Sequence, residues 1–558
     1  MTFLLVALVT LPLAVAHGAN APIMANHGMV VSQEETASRI GAKVLSDGGT
    51  AVDAAVATAF ALAVTHPTAG NIGGGGFLVF RPAKGDPLAY DFRETAPAAA
   101  SADMWLNADA YDFERHHFSH LAVGVPGTVA GLHAAWEAHG RLPWKDLIAP
   151  AVALAREGFV VTHELSRSLR AVLPRLSKYP ASMAQFTRNG VPLEPGDVLK
   201  QPDLAATLER IADAGPDGFY RGRTADLLVA EMRANQGLIT HADLADYEAK
   251  IRTPLRGSYR GFDVITMPPP SSGGTALIAM LNVLEGYPLA DLGFGTTATL
   301  HRMAESMRRA FADRARYLGD PDFNPDMPIA ELISKPYADR QRATIDLQRA
   351  SVSDPTSFSW PAESTETTHL SVVDKERNAV ALTYTLEFGY GSGIVVPGAG
   401  FLLNNEMGDF NAAPGLTNDQ GLIGTPPNLA APGKRMLSSM TPTILERDGQ
   451  LFMVTGSPGG RTIINTVLQT VLNVIDHGMN AQTAVDAGRI HQQWLPDIIA
   501  YERHGFSLDS LNGLRDRGHK LREIPYQGVA EVIIVNPETG VLEAGVDRRV
   551  PDGAAVGH

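Results

Sequence analysis

Residues 366–393, ETTHLSVVDKERNAVALTYTLEFGYGSG, constrain the fold most, because they read as two strands joined by a polar turn. The turn, DKERN, separates TTHLSVV from AVALTYTL. If Val373 pairs with Ala379, the antiparallel register places Thr367 opposite Thr385. Their hydroxyl groups then lie on one face, within hydrogen-bonding reach of each other. The sequence therefore predicts a hairpin with two facing threonines at its open end.

A threonine hydroxyl is a poor nucleophile unless a base lies beside it. A cut before Thr367 would supply that base, because a free α-amino group has a pKa of roughly 7.7–8. Threonine paired with its own terminal amine is a known form of activated nucleophile. The polar stretch at 354–366 is the best linker candidate and ends where such a cut would fall. Taken alone, however, the hairpin favours the ordinary interpretation, in which β-branched residues fill a strand.

The composition narrows the possible chemistry. The 558 residues include no cysteine, which excludes disulfides, thiolate nucleophiles and cysteine metal sites. Covalent catalysis would then depend on Ser, Thr, Lys or a carboxylate. The formal net charge of −14 argues against nucleic acid as the main partner. The length allows several domains or one large layered body.

Residues 1–16 are predicted to be a signal peptide, so we expect an exported protein, periplasmic or secreted. The apolar run that ends at Ala16 is too short to span a membrane, and Ala-Val-Ala fits a small-x-small cleavage site. No Lys or Arg precedes the run, so a buried N-terminal segment is the alternative. No later segment reads as a membrane helix.

The chain changes character near the linker candidate. Before it, apolar periodicity predicts mainly helices, at 35–45, 50–64, 127–139, 144–157 and 297–317, with a further helix that follows MPPPSSGG and ends near 284. After it, strands are predicted to dominate 368–404, 441–455 and 530–545, with helices at 462–477 and 507–517. The combination predicts an α+β fold.

An ordered set of short motifs resembles the γ-glutamyltransferase family, the glutathione hydrolase proenzymes. TTHLSVVD, LLNNEMGDF, LSSMTPT and GSPGG occur in that order, and HPTAGNIGGGG, DFRETAP and VGVPGTVAGL match in the first half. The resemblance covers essentially all of the chain after residue 16. It implies the N-terminal nucleophile hydrolase fold, a four-layer αββα sandwich, in a precursor that cuts itself into a heterodimer. The cut would fall between Glu366 and Thr367, giving a large subunit, 17–366, and a small catalytic subunit, 367–558.

The resemblance implies a γ-glutamyl amide substrate such as glutathione, whose glutamyl end carries a carboxylate and an ammonium. Arg93, in DFRETAP, can hold the carboxylate with a bidentate fork; the alternative is a surface arginine paired with Asp91 or Glu94. Ser438 and Ser439, in MLSSMTP, offer hydroxyl donors to the same carboxylate. Loop capping is the more common use of such a serine pair.

Two acids, Glu406 and Asp409 in LLNNEMGDF, are expected to hold the ammonium. The alternative is a solvated acidic turn, but the apolar residues FLL and Phe410 around them indicate partial burial.

Glu387 stands where many family members carry an asparagine that helps to bind the glutamyl amino end. This third carboxylate can strengthen ammonium binding or weaken carboxylate binding. The segment at 411–434 is long enough to form a lid loop.

The expected reaction needs no metal or cofactor. The Thr367 hydroxyl attacks the γ-carbonyl, and Thr385 orients or polarises the attacking oxygen. Gly459 and Gly460 lie between a strand and a helix, where backbone N–H groups favour developing negative charge, so they are the oxyanion-hole candidates. A tight turn that requires glycine is compatible with this role. Water completes hydrolysis of the acyl-enzyme, and an amino acid or dipeptide amine completes transpeptidation.

Four other interpretations fit parts of the sequence. GNIGGGGF resembles a phosphate or dinucleotide loop, but a strand follows it rather than a helix. His116, His117 and His120 suggest a metal site, yet a surface cluster is expected instead. A cephalosporin or glutaryl acylase of the same fold would not need the two ammonium-binding acids. An exported binding protein that never matures would not need the threonine at 367.

Overall fold

The structure, a computed structural model, describes residues 20–108, 110–353, 367–415 and 425–558. The predicted signal peptide, the linker candidate at 354–366 and the centre of the predicted lid loop lie outside the described residues. Within the described ranges, no helix combines the length and apolar character needed to cross a membrane.

Two seven-stranded antiparallel sheets form the centre of the molecule. The hairpin sheet contains, from edge to edge, Lys250–Arg252, Leu88–Phe92, Gly75–Arg81, Ala379–Thr385, Thr368–Val373, Met29–Ser32 and Ala554–Gly557. The facing sheet contains Ile23–Ala25, Leu542–Val546, Glu531–Val535, Gln450–Gly456, Thr443–Arg447, Phe262–Thr266 and Leu255–Tyr259.

The predicted hairpin register is confirmed. Val373 pairs with Ala379, and the pairing continues to Thr368 opposite Tyr384. Both strands are buried along their whole length, because side chains alternate between the two faces of a strand and both faces are covered here. Even positions such as Leu370 belong to the apolar cluster under the helices, whereas odd positions point towards the facing sheet.

Helices cover the outer face of each sheet, so the layers run helix, sheet, sheet, helix. Glu35–Ser46, Ala51–Thr65 and Thr128–His139 lie on the hairpin sheet, with Trp144–Glu157 packed against the second of these. Gly273–Glu285, Thr462–Ile475 and Ala481–Asp486 lie on the facing sheet, and Thr297–Tyr317 packs against the first of these. The predicted αββα sandwich is therefore confirmed.

The helix Ala51–Thr65 shows how local sequence and burial agree. The Thr50 side chain accepts a hydrogen bond from the Asp53 N–H, and the Asp53 carboxylate accepts one from the Thr50 N–H, which forms a capping box. Every residue of the helix is buried, as its small apolar sequence indicates. It fills the space directly beneath the hairpin strands.

Shorter elements surround the sandwich. The remaining helices are Phe113–His117, His163–Leu176, Pro180–Phe186, Pro202–Ala214, Asp217–Tyr220, Gly222–Ala234, His241–Ala245, Leu289–Leu292, Ile329–Leu332, Lys335–Ala343 and Leu508–Asp516. The remaining strands are Leu106–Asn107, Ala110–Tyr111, Phe159–Val160, Thr187–Arg188, Val191–Pro192, Val198–Leu199, Ile490–His491, Ile499–Glu502 and Leu521–Ile524.

The prediction of strands through residue 404 is wrong beyond Thr385. Glu387 and Tyr390 have φ angles of 77° and 64°, and Gly391 and Gly393 also have positive φ, so the backbone turns repeatedly instead of extending. The strand Ala554–Gly557 was not predicted; it completes the edge of the hairpin sheet beside Met29–Ser32.

Candidate active site

The two threonines meet at the open end of the hairpin. Thr367 Oγ1 donates to Thr385 Oγ1 at 3.4 Å, and both side chains are buried. The Glu387 N–H donates to Thr385 Oγ1 at 3.0 Å, and the Thr385 carbonyl accepts from Asn71 Nδ2 at 2.8 Å. The second threonine is therefore held on two sides, with its hydroxyl directed towards the first.

The histidine that follows in the same strand cannot act as the base for Thr367. His369 Nδ1 shares a hydrogen bond with Thr383 Oγ1 at 2.7 Å, and Nε2 shares one with Ser371 Oγ at 3.1 Å. Burial lowers the pKa of His369 to about 3, so the imidazole is neutral and both nitrogens are engaged.

A small cleft opens at the end of the hairpin. It brings together nine of the ten predicted site residues, and Gly459 is the one that does not line it. The lining residues are Arg93, Thr367, Thr385, Glu387, Glu406, Asp409, Ser438, Ser439, Met440, Gly460 and Ile463.

Arg93 is fully buried and pairs with the two acids that were expected to hold an ammonium. Its guanidinium donates to Glu406 Oε1 and Asp409 Oδ2, and Glu94 Oε2 lies 3.9 Å away. Burial disfavours the charge on Arg93, but the three carboxyl groups outweigh this effect and hold its pKa above the usual value. The alternative of a surface arginine is wrong, because Arg93 is fully buried. Arg93 donates to Asp91 through its backbone N–H, not through its guanidinium.

One guanidinium thus faces three acids. Burial raises the pKa of Glu94 to about 8, and burial also raises the pKa of Glu406 despite its contact with Arg93. Neither carboxyl oxygen of Glu94 has a hydrogen-bond partner among the described residues. The acids repel one another, so not all of them are ionised at neutral pH. The arrangement favours a ligand that brings its own positive charge.

The three histidines are buried, so the expectation of a surface cluster is wrong. The helix Phe113–His117 packs against the turn that carries Glu406, and this contact covers the ring of His116. His116 Nε2 bonds the Met407 carbonyl at 3.1 Å, and His117 Nδ1 shares a hydrogen bond with Glu387 Oε1 at 3.2 Å. The sequence analysis did not place any of these histidines in the site. The sequence feature that could have pointed to them was the occurrence of three histidines in one short segment.

The serine pair is braced by the loop MPPPSSGG. The Ser438 N–H donates to the Pro270 carbonyl at 3.0 Å, and the Ser272 N–H donates to the Ser438 carbonyl at 2.8 Å. Ser438 Oγ also accepts the Met440 N–H at 3.1 Å, so the loop-capping interpretation holds for this serine. The loop fixes the backbone that presents both hydroxyls to the cleft.

Arg314 is a buried cation behind this serine pair that sequence reasoning missed. Its Nε donates to Ser272 Oγ at 2.7 Å, and its second guanidinium nitrogen donates to Ser439 Oγ at 2.9 Å. Because Ser439 Oγ accepts this bond, its own proton is directed elsewhere. The signal in the sequence was weak: one arginine at a buried position of the helix Thr297–Tyr317.

Gly459 and Gly460 form the connection between the strand Gln450–Gly456 and the helix Thr462–Ile475. Their φ angles are 130° and 56°; glycine is needed at the first angle, and the second lies in the left-handed region that glycine favours. Their carbonyls accept hydrogen bonds from the first helical residues, and neither N–H donates to another group among the described residues. These N–H groups are available to an oxygen that carries negative charge.

A possible metal-binding group lies elsewhere, at His301, Glu305 and His519. Its chemistry does not favour a cation, because Glu305 already pairs with Arg308 and Arg309. The two histidines bond each other at 2.8 Å. We assign no metal to this group.

Comparison with known proteins gives consistent results. A family model described as Gamma-glutamyltranspeptidase matches residues 37–557. The chain is 47% identical to the glutathione hydrolase proenzyme of Escherichia coli (strain K12), over 96% of this chain and 93% of that protein.

Among solved structures, the cephalosporin acylase of Bacillus halodurans is 28% identical, with a TM-score of 0.84 and coverage of 98% of this chain and 99% of the acylase. The gamma-glutamyltranspeptidase of Helicobacter pylori is 45% identical, with a TM-score of 0.56, over 56% of this chain and 90% of that chain.

Proposed function

The chain belongs to the gamma-glutamyltranspeptidase family, and on that premise we propose that it is a self-cleaving glutathione hydrolase and γ-glutamyltransferase. Its fold is the four-layer sandwich of the N-terminal nucleophile hydrolases. The observation that carries the proposal is the pair of facing hydroxyls, Thr367 and Thr385, at the edge of a cleft lined by acids and an arginine.

The precursor is cut between Glu366 and Thr367. The large subunit then spans 17–366 and the small catalytic subunit 367–558, after removal of a signal peptide at 1–16 during export to the periplasm or the exterior. Support comes from the position of Thr367 and from the state of His369, which is engaged and neutral. With that histidine excluded, the new α-amino group is the base closest in the chain to the attacking hydroxyl.

The reaction starts with attack of Thr367 Oγ1 on the γ-carbonyl carbon, and the hydroxyl proton passes to the α-amino group. The N–H groups of Gly459 and Gly460 stabilise the resulting oxyanion. The amide C–N bond then breaks, and the leaving amine takes the proton from the α-ammonium. Water or an acceptor amine attacks the ester and frees the threonine.

The charged end of the substrate lies over the Arg93 cluster. Its carboxylate receives hydrogen bonds from Arg93, Ser438 and Ser439, and its ammonium lies against Glu406 and Asp409. Support comes from the contact of Arg93 with both acids, which places the two charges of the site side by side. An α-carboxylate and an α-ammonium on one carbon need this adjacency.

A cephalosporin or glutaryl acylase is the second candidate, because an acylase is a structural neighbour at a TM-score of 0.84. The number of carboxyl groups in the cleft favours the first candidate, a glutathione hydrolase and γ-glutamyltransferase. A glutaryl group carries a carboxylate without an ammonium, and it would enter a cleft in which Glu387, Glu406 and Asp409 face one guanidinium.

The test is cleavage of a chromogenic γ-glutamyl anilide by purified protein and by Thr367→Ala. We expect the wild type to yield two polypeptides, one of which begins at Thr367 by Edman sequencing, and to release the chromophore. Thr367→Ala should do neither. Thr368→Ala is the matched control, because alternation places that side chain on the other face of the strand, and it should retain both properties. Anilide cleavage by Thr367→Ala would overturn the proposal.

A further inference from the structure

Arg314 lies one hydroxyl group away from the cleft. Its side chain is buried in the helix Thr297–Tyr317, and the cleft, as the described residues line it, includes Ser439 but not Arg314. The guanidinium of Arg314 donates to Ser439 Oγ at 2.9 Å. The arginine therefore acts on the cleft through the hydroxyl of Ser439 rather than by direct contact.

The bond from Arg314 decides how the Ser439 hydroxyl is used. A serine hydroxyl has one proton to donate and can also accept hydrogen bonds, and its free rotation leaves both uses open. A guanidinium only donates, so the side of Ser439 Oγ that faces Arg314 is fixed as an acceptor. The hydroxyl proton then points away from Arg314, and the open side of Ser439 is the cleft that it lines.

A second bond from the same guanidinium fixes the backbone beside this hydroxyl. Arg314 Nε donates to Ser272 Oγ at 2.7 Å, and Ser272 Oγ donates in turn to the Ser438 carbonyl at 2.6 Å. Both bonds start from one planar group, so they hold Ser272 and Ser439 in a set relation to each other. Arg314 thereby connects a helix that precedes the proposed cut with both serines of the pair that follows it.

The positive charge of Arg314 also changes the strength of the Ser439 hydroxyl as a donor. Hydrogen bonds in a chain polarise one another, so a hydroxyl that accepts from a cation donates more strongly to an anion. This effect favours a carboxylate in front of Ser439. It adds nothing to the binding of an ammonium group.

We propose that Arg314 is a positioning residue for the α-carboxylate of the substrate: it directs the hydroxyl proton of Ser439 into the cleft and polarises it, without touching the substrate itself. The inference rests on the proposed function, because it concerns the carboxylate end of the γ-glutamyl group in the same site. It gives a role in substrate recognition to a side chain that lies outside the cleft.

The test compares γ-glutamyl p-nitroanilide with 4-aminobutyryl p-nitroanilide, which keeps the ammonium and the scissile amide and lacks only the α-carboxylate. Arg314→Met removes the guanidinium and keeps a long unbranched side chain. We expect its KM for the γ-glutamyl anilide to rise about 5–50-fold, between the usual effects of losing a neutral and a charged hydrogen bond, with kcat within about 3-fold. Both constants for the 4-aminobutyryl anilide should change by less than about 2-fold, because that substrate lacks the group that Arg314 helps to bind.

Inhibition gives a second readout that needs no turnover. L-Glutamate carries the α-carboxylate and 4-aminobutyrate lacks it, while both carry the ammonium and the carboxyl group at the reacting end. Arg314→Met should weaken inhibition by L-glutamate and leave inhibition by 4-aminobutyrate unchanged.

Two further arginine variants separate this role from general effects. Arg314→Lys keeps the charge, but one ammonium cannot replace the planar fork that spans two hydroxyls, so its KM for the γ-glutamyl anilide should lie between those of the wild type and Arg314→Met. Arg316→Met is the matched control, since it removes an exposed arginine two residues further along the same helix. It should leave both KM values unchanged.

A double-mutant cycle shows whether Arg314 acts through Ser439. Ser439→Ala removes the hydroxyl that accepts the guanidinium bond. Adding Arg314→Met to Ser439→Ala should then raise the KM for the γ-glutamyl anilide by less than about 3-fold, whereas independent effects would multiply.

Three results would overturn the inference. One is a KM for the γ-glutamyl anilide that Arg314→Met leaves unchanged, and another is an equal rise for both anilides, which would assign Arg314 to the structure alone. If Arg314→Met does not mature, the cycle is run with Arg314→Lys, and effects that multiply contradict the inference. Failure of both variants to mature is the third, because it too would make the role purely structural. Failure of the proposed function is distinguishable, because the wild type itself would then leave the γ-glutamyl anilide intact.

Discussion

One acid beside the cleft is buried so deeply that its ionised form is disfavoured. Glu94 lies behind Arg93, is fully buried, and has no hydrogen bond to either carboxyl oxygen from any described residue. Burial raises its pKa from 4.5 to about 8, and the nearby guanidinium reduces this effect only in part. The folded protein therefore keeps a proton on this group at pH values at which the unfolded chain has lost it.

Glu94→Gln should change how stability depends on pH. Between pH 4.5 and about 8 the folded wild type binds more protons at Glu94 than the unfolded chain, so its stability falls as the pH rises through this window. Glutamine resembles the protonated acid and does not titrate. We expect the thermal midpoint of the wild type to fall more between pH 5 and pH 8 than that of the variant.

Scanning calorimetry at pH 5, 6.5 and 8 measures the difference. Asp86→Asn, which removes an exposed carboxylate, is the matched control and should follow the wild type. Parallel pH profiles for wild type and Glu94→Gln would contradict the assignment of a buried protonated acid.

The residues of the site were predictable by type but not by partner. The motifs placed the acids and the arginine in one cleft, but they assigned Arg93 to the carboxylate and Glu406 to the ammonium of a substrate, whereas the structure pairs Arg93 and Glu406 with each other. His117 was expected at the surface because a five-residue helix is too short to show a buried face. Its burial depends on contact with a segment far along the chain, which local pattern does not contain.

The elements that local signals define were predicted well. The hairpin register follows from one turn and strict alternation, and the bounds of the helices Trp144–Glu157 and Thr297–Tyr317 match the prediction. The strand Ala554–Gly557 was missed because the described strand that pairs with it, Met29–Ser32, lies near the other end of the chain. Pairings of that kind depend on tertiary packing rather than on local sequence.

Contact between the two sheets depends on a glycine. A side chain at Gly456, in the facing sheet, would place its Cβ 2.1 Å from the His369 ring. Hydrogen bonds to Thr383 and Ser371 fix that ring, so it cannot move aside easily. The strand that begins beside Thr367 is thus positioned partly by a close approach that only glycine permits.

Gly456→Ala should destabilise the protein by about 1–3 kcal/mol, the usual cost of overpacking a core. Because the displaced ring belongs to the strand that carries the nucleophile, self-cleavage should also slow. Urea unfolding and the disappearance of the precursor on a denaturing gel measure the two effects. Gly553→Ala is the control, since its new Cβ would meet no atom closer than 3.4 Å. Equal stability of the two variants would show that the sheets adjust freely.

At the scale of the whole molecule, the proposed cut does not separate two domains. The hairpin sheet takes three strands from the chain after residue 366 and four from the chain before it. In the facing sheet, four adjacent strands come after the cut, and strands from before it flank them on both sides. The buried ion pair of Arg81 and Glu446 also joins the two parts. Separation would expose both faces of both sheets.

Cleavage should therefore leave one particle that contains both polypeptides. We expect the mature protein and the uncut Thr367→Ala variant to elute at the same volume in size-exclusion chromatography, while a denaturing gel separates the mature protein into two bands. In a urea series, the two polypeptides should dissociate only at the urea concentration at which the fluorescence of the sandwich core changes. The reason is that a strand cannot leave either sheet without breaking its backbone hydrogen bonds to the buried strands beside it. The small polypeptide could instead be released at a urea concentration at which the core fluorescence is unchanged. That result would show that the two polypeptides do not share the two sheets as the strand order requires.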